Sequence, residues 1–108
     1  MRKRAEYLEI QSSGVRVNGD CLVFIVKRRG ADNPLRLGIT ASRKIGVAVV
    51  RNRARRLVRE AFRAVFSELP DGLDIVVIVR KPPGERKLAD ILGEWRRALP
   101  RLKRCALP

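Results

Sequence analysis

Two stretches of this chain are apolar at every position: residues 21–26 (Cys-Leu-Val-Phe-Ile-Val) and residues 75–79 (Ile-Val-Val-Ile-Val). A strand with no polar alternation is buried on both faces. A sheet containing two of them needs cover on both sides. The segment 35–41 behaves differently. Leu35, Leu37, Ile39 and Ala41 alternate with Arg36, Gly38 and Thr40, so one face packs and the other carries polar groups.

Three helices are expected around these strands. Residues 5–13 place Tyr7, Leu8, Ile10 and Gln11 at helical spacing, and Gly14 offers a stop. Residues 50–69 form the main helix, closed by Pro70-Asp71-Gly72. Residues 87–99 carry an apolar stripe of Leu88, Ile91, Leu92, Trp95 and Leu99, and Pro100 is expected to end it. Residues 21–27 and 35–41 flank a Gly-Ala-Asp-Asn-Pro turn and are expected to pair as an antiparallel hairpin. The order α-β-β-α-β-α gives an α+β sandwich with a mixed central sheet. The 108 residues make one domain, 1–108, with a frayed basic tail at 101–108.

Charge narrows the function. Lys and Arg number 25 against 11 Asp and Glu, a formal net charge of +14. A polyanionic partner is expected. The chain has no histidine, which excludes Ser-His-Asp and Cys-His catalysis and histidine-ligated zinc. Cys21 and Cys105 are far apart and show no metal spacing. Cys21 reads as a small buried apolar residue and Cys105 as a tail residue. Two carboxylates at Glu6 and Glu9 interrupt any signal peptide, and no apolar run is long enough to span a membrane. A soluble, cytoplasmic protein is expected.

The main helix concentrates the argument. Ala54, Leu57, Val58, Ala61, Phe62 and Val65 gather on one face, with Phe66 at its edge. Asn52, Arg56, Arg59 and Arg63 gather on the opposite face. Between positions 43 and 63 stand eight basic residues and one acid, Glu60. A helix face solvated for its own sake mixes signs at i, i+4; this one stacks like charges. Arginine outnumbers lysine 19 to 6, and its planar fork suits phosphate. The ridge reads as a phosphate-binding surface. Phe62, Phe66 and Trp95 read as core by their spacing. Tyr7 and Phe24 remain open between core packing and stacking on a base. Asp71 and Asp74 read as turn residues beside Gly72 and not as a metal-binding pair.

The run Ser42-Arg43-Lys44-Ile45-Gly46, followed by Arg51-Asn52-Arg53-Ala54-Arg55-Arg56-Leu57-Val58-Arg59-Glu60-Ala61-Phe62-Arg63, resembles the signature block of the bacterial ribonuclease P protein subunit. The likeness extends through Arg36-Leu37-Gly38-Ile39 and through residues 74–80. It implies the protein partner of a catalytic RNA that removes the 5′ leader from precursor tRNA. Catalytic groups and magnesium are then expected in the RNA, with no covalently bound cofactor and no catalytic residue in this chain. The resemblance assigns RNA contact to Lys44, Arg51, Asn52, Arg53, Arg55, Arg56, Arg59 and Arg63. It assigns the leader cleft to Tyr7, Phe24, Ser42 and Arg43, with Gln11 standing where the family has a second aromatic. It also implies a left-handed crossover between parallel strands, against the general right-handed rule. The partners expected are the ribonuclease P RNA and precursor tRNA, and no membrane. Two other readings remain open: a self-sufficient nuclease, and a ribosomal or general basic RNA-binding protein.

Overall fold

The computed structural model of the chain describes residues 4–107. Its elements run α1 (Arg4–Ser13), β1 (Val15–Asn18), β2 (Leu22–Arg28), β3 (Arg36–Thr40), α2 (Ala48–Val65), β4 (Leu73–Val79) and α3 (Leu88–Cys105). Short 3₁₀ turns precede α2 (Arg43–Ile45) and follow it (Phe66–Glu68).

The four strands lie in the order β1-β2-β4-β3. β2 and β4 are the inner strands, as their unbroken apolar runs require. The expected hairpin between β2 and β3 does not form. Both strands pair with β4 instead, β2 antiparallel and β3 parallel. β4 satisfies the backbone of two neighbours at once, and an inner strand apolar on both faces is the one that can take that place. α2 therefore crosses between two parallel strands, β3 and β4. The additional strand β1 was not expected. It pairs antiparallel with β2 through Val17↔Phe24 and buries only Val17.

Alternation sorts the two faces of the sheet. Leu22, Phe24, Val26, Ile75, Val77 and Val79 pack against α2 and α3 around Trp95. Val23, Ile25 and Val76 lie on the other face, under Ile10 and Tyr7 of α1. The helical face of α2 is as expected: Ala54, Leu57, Val58, Ala61 and Val65 are buried. Phe62 packs against the core from its margin. Phe66, by contrast, is 53% exposed.

α3 does not stop at Pro100. The helix continues to Cys105, and Leu102 beyond the proline is fully buried. Pro100 itself is exposed, so its ring faces away from the core. Burial of Leu99 and Leu102 on the inner side outweighs the one hydrogen bond that proline forfeits. The segment expected to fray thus carries core side chains, and Cys105 packs at the core margin. Cys21 is buried, with its thiol within reach of the Lys81 carbonyl (3.1 Å). Burial holds that thiol's pKa above the usual range.

Candidate nucleic-acid interface

Carboxylates in this protein are mostly engaged by its own cations or amides. Asp74 is not a turn residue: it sits in β4, 3% exposed. Arg36 from β3 clamps it with two hydrogen bonds, 2.7 and 2.8 Å, and Arg29 stands 3.5 Å away. Arg36 also meets Glu6 of α1 at 2.9 Å, and these carboxylates push its guanidinium pKa further up. Lys27 pairs with Glu9 of α1, holding that carboxyl below its ordinary pKa. Both ion pairs tie α1 to the sheet. Asp20 accepts from Lys81 and Arg86, which lower its pKa to about 2. Glu94 of α3 is buried and accepts the backbone N–H groups of Cys21 and Leu22 at 3.0 Å. It caps the start of β2, a role that nothing in the sequence signals.

The exposed side of α2 is the opposite case. Asn52, Arg56, Arg59 and Arg63 are all exposed, as their spacing predicts. Among the described residues, no carboxylate pairs with Arg56, Arg59 or Arg63. The first turn of α2 contains no acid, and its N-cap, Val47, makes no side-chain cap. Arg43 and Lys44 stand exposed in the turn just before it.

The remaining arginines of the block are partly committed to the protein. Arg53 donates to the carbonyls of Gly84 (3.0 Å) and Arg86 (2.6 Å), holding the loop before α3. Arg55 reaches the Ala41 carbonyl and Asn52 Oδ1, both at 3.4 Å. Arg51 is half-buried, and its Nε lacks a hydrogen-bond partner among the described residues. The eight positions therefore divide into an outward set and an inward set of Arg51, Arg53 and Arg55, of which Arg53 and Arg55 tie α2 to neighbouring segments. Gly46 makes the bend between the 3₁₀ turn and α2 at φ 145°, in a region that favours glycine.

A cleft of about 390 Å³ opens between α1 and the end of β3, lined by Arg4, Tyr7, Leu8, Gln11 and Thr40. Tyr7 is half-buried here; Ser42 and Arg43 follow β3 and are exposed. Phe24 is not in this cleft. It is fully buried on the other face of the sheet, its ring 4.8 Å from that of Trp95 in an edge-on contact. The expectation that Phe24 stacks on a base is corrected: its neighbours Val23 and Ile25 face α1, and the pleat turns Phe24 away. Thr40 was missed, although the alternation of β3 already set it on the polar face.

The matching family model, described as Ribonuclease P, covers residues 1–103. The chain belongs to the ribonuclease P protein family. It is 43% identical over 100 residues to the ribonuclease P protein component of Gluconacetobacter diazotrophicus, covering 92% of this chain and 86% of that one. The corresponding protein of Thermotoga petrophila is 41% identical over 85 residues, covering 79% and 72%. Solved structures agree in fold. The Staphylococcus aureus RNase P protein superposes with a TM-score of 0.82 at 30% identity, covering 95% of this chain and 94% of that one. The RNase P protein from Thermotoga maritima gives 0.80 at 33%, covering 96% and 94%. The α+β sandwich with a mixed sheet is thus the ribonuclease P protein fold. No helix among the described residues is long and apolar enough to cross a membrane.

Proposed function

We propose that this chain is the RNA-binding subunit of a ribonuclease P ribonucleoprotein and assists a catalytic RNA in removing the 5′ leader of precursor tRNA. One observation carries the reading. The protein engages most of its carboxylates internally, and among the described residues the guanidiniums of Arg56, Arg59 and Arg63 have no acidic partner on one exposed stripe. Such a stripe is suited to the phosphates of an RNA. The cleft beside Tyr7 takes the single-stranded leader, with Arg4 and Arg43 at hand for its phosphates and Tyr7 for a base.

Chemistry belongs to the RNA in this reading. Asp74, Asp20 and Glu94 are occupied by arginine, lysine or backbone N–H groups. Magnesium is assigned to the RNA as part of the same reading, in which the protein supplies binding surface. The protein acts by differential binding: it offsets repulsion between two polyanions and lowers the magnesium that their approach requires.

Reconstitution tests this directly. The purified chain, a bacterial ribonuclease P RNA and a 5′-labelled precursor tRNA are mixed at low magnesium, with each component alone as control. Cleavage at the mature 5′ end that needs both macromolecules is expected. Cleavage by the protein alone would establish a nuclease. Tight RNA binding without stimulation would leave a general basic RNA-binding protein.

A further inference from the structure

Phe66 stands at the outer end of a ladder of aromatic contacts. Phe24 meets Trp95 with centroids 4.8 Å apart, Trp95 meets Phe62 at 5.5 Å, and Phe62 meets Phe66 at 5.5 Å. The first three rings pack in or against the core; Phe66 is 53% exposed. Its ring is held edge-on to Phe62 at 79°, so the core fixes where it sits while solvent reaches much of its surface.

Its direction matters. Phe66 has helical dihedrals (φ −53°, ψ −44°) and opens the 3₁₀ turn into which α2 tightens at Val65 (φ −107°, ψ 2°). At about 100° per residue in α2, and about 100–120° for the step into the 3₁₀ turn, Asn52, Arg56, Arg59, Arg63 and Phe66 fall within about 80° of arc. The arginine ridge therefore ends on an exposed, positioned aromatic ring.

We propose that Phe66 is a nucleobase-stacking contact, taking an unpaired base of the RNA whose phosphates Arg59 and Arg63 hold. The inference rests on the RNA-binding reading of the ridge and extends it to a base. Charge selects the occupant. A nucleic acid brings phosphates and a π face together, satisfying guanidinium and ring at once. A second copy of this chain, itself at +14, would bring two unpaired arginine ridges together.

The test uses Phe66→Leu, Phe66→Trp and Arg59→Ala in the full chain, titrated against an end-labelled bacterial ribonuclease P RNA at several salt concentrations. Phe66→Leu is expected to weaken binding about fivefold or more with the salt slope unchanged. Phe66→Trp is expected to keep affinity, with its emission quenched by RNA; the native Trp95, the only tryptophan, is buried and supplies the baseline. Arg59→Ala should lower the salt slope. If Arg59→Ala does so but Phe66→Leu binds like the wild type and Phe66→Trp is unquenched, the stacking proposal alone is overturned. If the wild type does not bind the RNA, the ridge reading falls first and this one with it. If Phe66→Leu converts a sedimenting dimer to a monomer, the occupant is a second copy and the proposal is wrong. Should Phe66→Leu lower the melting temperature, the quenching of Phe66→Trp decides.

Discussion

The ring of Tyr7 occupies the space that a side chain at Gly38 would need: a Cβ built on Gly38 falls 2.6 Å from Tyr7 Cε1. The wall of the α1–β3 cleft is therefore a fitted pair, an aromatic on α1 and a missing side chain on β3. Gly38→Ala should displace Tyr7. In the leader reading, both Gly38→Ala and Tyr7→Ala weaken binding of precursor tRNA with its leader by about 1–3 kcal/mol. Binding of leaderless tRNA should not change. Equal losses on both substrates would remove the leader from this cleft.

Arginines of one motif should behave differently. Arg56→Ala and Arg59→Ala each remove a ridge charge, so each should reduce the log–log salt slope of RNA binding by roughly 0.7. Their melting temperatures should stay near wild type. Arg53→Ala should instead melt earlier, because its guanidinium holds the carbonyls of Gly84 and Arg86. Thermal melts beside salt titrations separate the two groups.

Asp20 sets an acid limit. Its folded-state pKa is lowered from 3.8 to about 2 by Lys81 and Arg86. A depressed carboxylate contributes its stability above the ordinary value and loses it as pH falls through the folded one. Glu9, lowered by Lys27, acts in the same sense. Melting temperature should therefore fall between pH 3.8 and about 2. Asp20→Asn should flatten that decline and start from a lower plateau at neutral pH. An Asn variant with an unchanged acid profile would show that this cluster is screened out by solvent.

Asp74 answers the nuclease question and a stability question together. Replacing it with Ala leaves Arg36 and Arg29 without their shared carboxylate. Losing one partner of a buried pair costs about 3–5 kcal/mol, and the partial exposure of Arg36 puts the expected loss near about 3 kcal/mol. Urea titration would measure it. Under conditions where the variant is folded, cleavage in the reconstituted system should persist.

The end of α3 makes the simplest wager. Leu102 is fully buried, so Leu102→Ala should cost about 2–5 kcal/mol, while Arg101→Ala should cost little. A frayed tail would make both silent.

What could be read from the sequence was local. The alternation of β3 correctly sent Arg36, Gly38 and Thr40 to one face, where they meet Asp74, Tyr7 and the cleft. The 3.6-residue period of α2 separated its buried side from its arginines. What could not be read was non-local. A strand apolar at every position does not announce which residues face which layer, so the pattern leaves Phe24 open between core and cleft, and the cleft position implied by the family resemblance is the one the pleat contradicts. Adjacency in sequence favoured a β2–β3 hairpin, whereas β4 intervenes between them. β1 is four residues long with one buried side chain, too weak a pattern to register. Pro100 carries a true local signal for a stop, but tertiary packing of Leu102 overrides it.

The placing of β4 between β2 and β3 has a consequence for how the chain is born. Phe24 finds its register partner, Val77, about 50 residues later. At ribosomal speeds of about 5–20 residues per second, β2 waits roughly 3–10 s with one edge open. During that interval β1 is the one described strand that β2 can pair with; α1 can already cover the face of Val23 and Ile25, but the edge awaiting β4 stays open and the Phe24 face waits for α2 and α3. Synthesis, more than equilibrium stability, is then the stage at which this small basic protein is most exposed to aggregation, and slowing translation between β2 and β4 would lengthen the hazard.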